Sequence, residues 1–164
     1  MAVTLEAGDA APPFLLPDQD GAMHGLSDYA GRIVVLYFYP KDMTPGCTAQ
    51  ACSLRDAEAE LQALDVSVLG VSADSAESHR RFRGAHALPF PLLVDQGAKV
   101  AERYGAWGEK TLYGRTSVGM IRSTFLIGPD GRLLKVWKRA RAAGHGEAVL
   151  AAMRDINKKT AKKT

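Results

Sequence analysis

The chain has 164 residues and a mass of 17.6 kDa, with 46% hydrophobic, 24% charged and 7% aromatic residues, which fits one domain and excludes collagen, coiled coil and wholesale disorder. Its formal charge of +3 is a property of the end of the chain: Lys158, Lys159, Lys162 and Lys163 stand there without an acidic neighbour, and the rest carries a net charge of −1. A nucleic-acid binder needs its basic stripe on the folded body, so no specific nucleic-acid partner is expected. The folded domain is expected over residues 1–157, followed by a disordered, solvated Lys-rich tail over 158–164.

Taken in order, the residues alternate between strand and helix patterns. Phe14 to Pro17 and Met23 to Leu26 flank Asp20-Gly21 as an N-terminal hairpin. Ile33 to Tyr39 is an unbroken β-branched and aromatic run, the pattern of a strand buried on both faces. Helix formers fill Ala49 to Leu64, and a second strand follows over Val66 to Ser72. Asp74 and Glu77 have capping-box spacing for a helix reaching His86. A short strand over Leu92 to Val94 and a short helix over Ala98 to Tyr104 come next. Gly105 to Ile121 is glycine-rich and without periodicity, and is read as a functional or mobile loop delivering Arg122 to a strand start. Thr124 to Ile127 and Leu133 to Trp137 bracket the turn Pro129-Asp130-Gly131, and a helix from Gly146 to about Asn157 closes the domain. The order predicts an α/β, thioredoxin-like fold, a central mixed sheet flanked by helices with an N-terminal β-hairpin. Ile33 to Pro40 is the longest apolar run, far short of the ~18 residues of a membrane helix. Met1 to Phe14 lacks the basic start and apolar stretch of a secretory leader. A cytoplasmic protein with no membrane partner is the expectation.

The two cysteines, Cys47 and Cys52, are too few for a disulfide scaffold or a metal site. His24, His79, His86 and His145 show no ligand spacing near them and are read as surface or capping residues. Thr44-Pro45 is a helix start, with the hydroxyl at the N-cap and proline at the first helical position. Cys47 then stands at the third position, beside unpaired backbone N–H groups and the positive end of the helix dipole, which favour a thiolate. Cys52 lies ~140° around and ~7.5 Å along the helix. A disulfide needs Cα atoms within ~7 Å, so bonding the two thiols requires the first turns to unwind. A free thiol is ~3% ionised at pH 7, so full ionisation supplies at most ~30-fold, about 2 kcal/mol. Fast chemistry needs further donors on the reacting oxygens, for which Thr44 and Arg122 are the candidates.

The segment from Tyr39 to Cys52, with Pro40, Thr44 and Cys47 in a P-x-x-x-T-x-x-C arrangement, resembles the active site of peroxiredoxins of the Q-type, or bacterioferritin comigratory, group. The likeness continues through Gly70 to Ser75, Leu88 to Asp95, Tyr104 to Lys110 and Arg122 to Ile127. It implies a thiol peroxidase acting on hydrogen peroxide and organic hydroperoxides in antioxidant defence. By the same resemblance Cys47 is the peroxidatic thiol and Cys52 the resolving thiol, Pro40 shields the site, Thr44 bonds the peroxide, and Arg122 activates thiolate and peroxide. It further implies thioredoxin or a similar dithiol as reductant, no metal or other cofactor, and a monomer, with a dimer left open. Pro13 and Gln50 depart from that group, which often has Asp and Glu there. Trp107 is read equally as core packing or as part of a docking surface. Two other readings are distinguishable by assay: a disulfide reductase would ignore peroxide, and a redox-sensing binding module would consume at most one peroxide per chain.

Overall fold

The computed structural model describes residues 4–162. Its elements are β1 (Leu15–Pro17), β2 (Met23–Gly25), β3 (Ile33–Phe38), α1 (Pro45–Ala63), β4 (Val66–Ser72), α2 (Ala76–His86), β5 (Leu92–Val94), α3 (Lys99–Arg103), β6 (Trp107–Leu112), β7 (Arg115–Met120), β8 (Ser123–Ile127), β9 (Leu133–Trp137) and α4 (His145–Lys162). Five strands form the central sheet in the order β5-β4-β3-β8-β9, and β1-β2 and β6-β7 are separate hairpins. The sheet is mixed: β3 runs parallel to β4 and β4 to β5, while β8 is antiparallel to both β3 and β9. The fold is the α/β, thioredoxin-like one, with the N-terminal hairpin in place.

The apolar run of β3 is buried on both faces, as a central strand must be. Val35, Tyr37 and Tyr39 face one core, with Cys47, Ala51, Leu54 and Leu61 of α1, Phe82 of α2 and Val149 and Met153 of α4. Val34, Leu36 and Phe38 face the other, with Val100 and Ala101 of α3, Tyr104 and Phe125. Gly70 of β4 permits that packing, because a Cβ there would lie 2.9 Å from the Tyr37 ring and 2.8 Å from Leu92. The pairing of β3 with β8 then fixes the site. Phe38, the last residue of β3, pairs with Ser123, the first of β8, so the chain entering α1 and the Arg122 side chain meet at one edge of the sheet.

Three expectations are corrected. Gly105 to Ile121 is no loop: it holds the hairpin β6-β7, turning at Tyr113 (φ 54°) and Gly114 (φ 76°), the conformation of a type I′ turn. The N-cap of α2 is Ser75, whose hydroxyl accepts from Ser78 N, because the Asp74 carboxylate is occupied by Asp42 N and the Ser72 hydroxyl. Helix α4 runs to Lys162, past the end placed near Asn157. Lysine is a good helix former and its charge favours a helix C-terminus, so Lys158 and Lys159 lie on helical backbone. The disorder expected over 158–164 concerns, for its last two positions, residues outside those described.

Candidate active site

Helix α1 opens as the Thr-Pro pair dictates. Thr44 has extended N-cap dihedrals (φ −81°, ψ 153°), Pro45 takes the first helical position, and Thr48 N donates to Thr44 O at 2.8 Å. The hydroxyl does not cap the helix. It turns back and donates to Lys41 O at 2.9 Å, and no side chain caps this end. The N–H groups of Gly46 and Cys47, in the first turn, have no intrahelical acceptor.

Cys47 is 1% exposed and reduced. Arg122, reaching from the start of β8, donates through Nη2 to Cys47 Sγ at 3.4 Å and through Nη1 to Gln50 Oε1 at 2.6 Å. A guanidinium donor on sulfur stabilises negative charge there. Gly46 makes room for it, since a Cβ would lie 3.1 Å from Arg122 Nη2. The arginine backbone is anchored too, its carbonyl accepting from Ala140 N at 2.8 Å. Pro40 is half-buried at the end of β3 and offers no N–H. The structure therefore brings Pro40, Thr44, Cys47 and Arg122 to one edge of the sheet, at the strand ends where ligands of open α/β folds bind.

Cys52 is half-buried on the same unbroken helix. Regular helix geometry puts the two Cα atoms ~8.7 Å apart, beyond disulfide reach. Two histidines depart from the surface reading. His79 is fully buried between Asp42 and Leu93 O. His145 is buried against Thr124 and the Trp137 ring, and burial, with the Arg122 charge in support, pushes it down to about 4. Sequence reasoning missed Asp42 and His79; the signal present was His79 three residues before Phe82, on the inward stripe of α2. Gln50, noted only as a departure, takes one arm of the Arg122 fork through Oε1, while its buried Nε2 has no partner. Among the described residues no group of three or more His, Cys, Asp or Glu is placed to hold a metal ion.

The chain is similar to known proteins along most of its length. The profile of the AhpC/TSA family matches residues 7–136. Peroxiredoxin Bcp of Bacillus subtilis is 45% identical over 157 residues, 96% of this chain and all of that one. Peroxiredoxin Bcp of Escherichia coli K12 is 48% identical over 146 residues, 89% of this chain and 94% of that one. Among solved structures, a mutant of PrxQ from Xylella fastidiosa superposes with a TM-score of 0.85 at 34% identity, covering 94% of this chain and 99% of that one. The bacterioferritin comigratory protein of Xanthomonas campestris, described with an alkyl peroxide reduction activity, superposes with a TM-score of 0.83 at 36% identity over 93% of this chain and 97% of its own. With a family profile over most of its length and near-half identity to two such enzymes, the chain belongs to the AhpC/TSA family and is a peroxiredoxin of the Bcp, or Q-type, group.

Proposed function

We propose that the chain reduces hydrogen peroxide and organic hydroperoxides on Cys47 and returns through a Cys47–Cys52 disulfide opened by thioredoxin or a similar dithiol. Peroxiredoxins of this group reduce peroxides; the observation that carries the assignment to Cys47 is the Arg122 fork on its buried sulfur at an uncapped helix start.

The cysteine thiolate attacks the terminal oxygen of the hydroperoxide. An S–O bond forms, the O–O bond breaks, and the departing oxygen leaves as an alcohol or water after taking a proton. Sulfur is oxidised by two electrons to a sulfenic acid. Arg122 is placed to stabilise the sulfur before attack and charge on the oxygens during it. The Thr44 hydroxyl already donates its hydrogen bond to Lys41 O, so its oxygen is left to accept the peroxide's O–H and orient the molecule in line. Pro40 covers the site without adding a donor that would hold water. Cys52, as thiolate, then displaces water from the Cys47 sulfenic acid, and a dithiol reduces the resulting disulfide by exchange. No cofactor takes part. No helix among the described residues is long and apolar enough to cross a membrane.

The test is steady-state consumption of hydrogen peroxide with a thioredoxin system. Cys47→Ser abolishes turnover, because a serine hydroxyl is no nucleophile at neutral pH. Cys52→Ser consumes one equivalent and stalls. A Cys47→Ser protein that still consumes the first equivalent would reverse the two roles.

A further inference from the structure

The turn that presents the thiol is held from below by two buried groups that the proposed chemistry does not use. Asp42 is buried although both its neighbours, Lys41 and Met43, are exposed. Its Oδ1 accepts from the Tyr39 hydroxyl at 2.6 Å, and its Oδ2 accepts from the Ser78 hydroxyl at 2.8 Å and faces His79 Nδ1 at 2.7 Å. Its backbone N donates to Asp74 at 2.7 Å. His79 Nε2 lies 2.9 Å from Leu93 O. A carbonyl only accepts, so Nε2 carries a hydrogen, and one further hydrogen is shared between Nδ1 and Asp42 Oδ2. The end of β3, helix α2 and strand β5 thus converge on one carboxylate.

What this arrangement holds is an unfavourable turn. Met43, the next residue, has φ 65°, a backbone region that residues other than glycine, asparagine and aspartate avoid. The residue is 55% exposed, so packing does not offset the strain. The left-handed residue reverses the chain and sets Thr44 at its N-cap dihedrals, with Oγ1 on Lys41 O. Strained residues persist only where the surroundings over-determine them, and here the surroundings on one side are Asp42 and its partners.

We propose that Asp42, oriented by His79, is a positioning residue for the peroxide step: it holds the left-handed turn at Met43 and with it Thr44 and the start of α1. This rests on the reading of Cys47 as the thiol that reacts with peroxide. The anchor acts through geometry alone, so it governs attack on peroxide and not the later disulfide step, for which α1 opens.

Stopped-flow kinetics separate the steps: the second-order reaction of the reduced protein with hydrogen peroxide, then conversion of the sulfenic acid to the Cys47–Cys52 disulfide. Asp42→Ala slows the first by ~10-fold or more and leaves the second unchanged or faster. Asp42→Asn, which keeps an acceptor for Tyr39 and places an amide donor beside His79 Nδ1, stays within about 3-fold of the parent. Adding Met43→Asn to Asp42→Ala recovers part of the loss, because asparagine accepts the left-handed region. An unchanged peroxide rate in Asp42→Ala, equal slowing of both steps, or no recovery with Met43→Asn overturns the proposal. Should Asp42→Ala fail to fold, Ser78→Ala removes one donor from the carboxylate and is expected to slow the peroxide step about 3-fold; an unchanged rate there overturns it equally. A parent protein whose Cys47 does not react with peroxide would instead refute the underlying assignment.

Discussion

The two ends of α1 are held by different means. The front turns, from Pro45 to Cys52, have no side-chain cap, begin behind a left-handed methionine, and are tied across the site by the Arg122 fork on Cys47 and Gln50. The rear is fixed at the level of backbone. Gly146 of α4 lies so close that a Cβ there would overlap the Ser53 carbonyl, and its N–H donates to the Ser53 hydroxyl at 2.8 Å. Arg55 reaches the His86 carbonyl at 2.7 Å, and Leu54, Ala57 and Leu61 fill the core. The boundary falls at Ser53, immediately after Cys52. Were the two thiols joined as proposed, the residues between them would all lie in front of the close packing of Gly146 on Ser53.

The largest test of that contrast is amide hydrogen exchange on the disulfide form, its bond verified by mass spectrometry. Protection should be lost over residues 47–52 and kept from Leu54 onward, with β3 unchanged; equal protection in disulfide and dithiol forms would refute the helical geometry. The rear joint is expected to weaken in acid through His145, at the start of α4. Its folded value of about 4 lies below the ordinary 6.5, so the unfolded chain binds the proton first. Stability is therefore full above pH 6.5 and falls as the pH drops toward 4, by about 3 kcal/mol at most. Denaturant titrations across that range should show the slope, and His145→Gln should flatten it. At the front, Arg122→Lys keeps the charge and loses the fork. The peroxide rate should fall by ~10²-fold, by more than the loss of thiolate explains; thiolate absorbance and rate measured together decide the point. Smallest, Gly146→Ala must push α4 off Ser53, costing about 1–3 kcal/mol, and should shift the exchange boundary of the disulfide form beyond Leu54.

The candidate catalytic segment was legible because its signals are local. Thr44, Pro45 and Cys47 are consecutive instructions for one helix start, and the β3 run declares a buried strand by composition alone. Gln50 could be seen as a change of charge, but its hold on Arg122 spans 72 positions of chain and no local pattern announces it. Asp42 and His79 were hidden for the same reason: they stand 37 residues apart, and a lone aspartate in a turn reads as a turn residue. The hairpin β6-β7 escaped because its strands are largely exposed, so no alternation of apolar residues marks them, and its turn puts a tyrosine where asparagine or glycine is usual. The capping box at Asp74 misled because a distant backbone N–H had claimed the carboxylate.

The pairing of β3 with β8 fixes Arg122 to the sheet, while the thiol proposed to react rides on the start of a helix, which the proposed disulfide requires to open. A sulfenic acid that stays beside the guanidinium remains in a site shaped for peroxide, and a second molecule would oxidise it to the sulfinic acid, which thiols do not reverse. One that departs with the opening turn escapes that fate. On the proposed mechanism, how firmly the front of α1 is held would set the peroxide concentration at which the enzyme begins to inactivate itself.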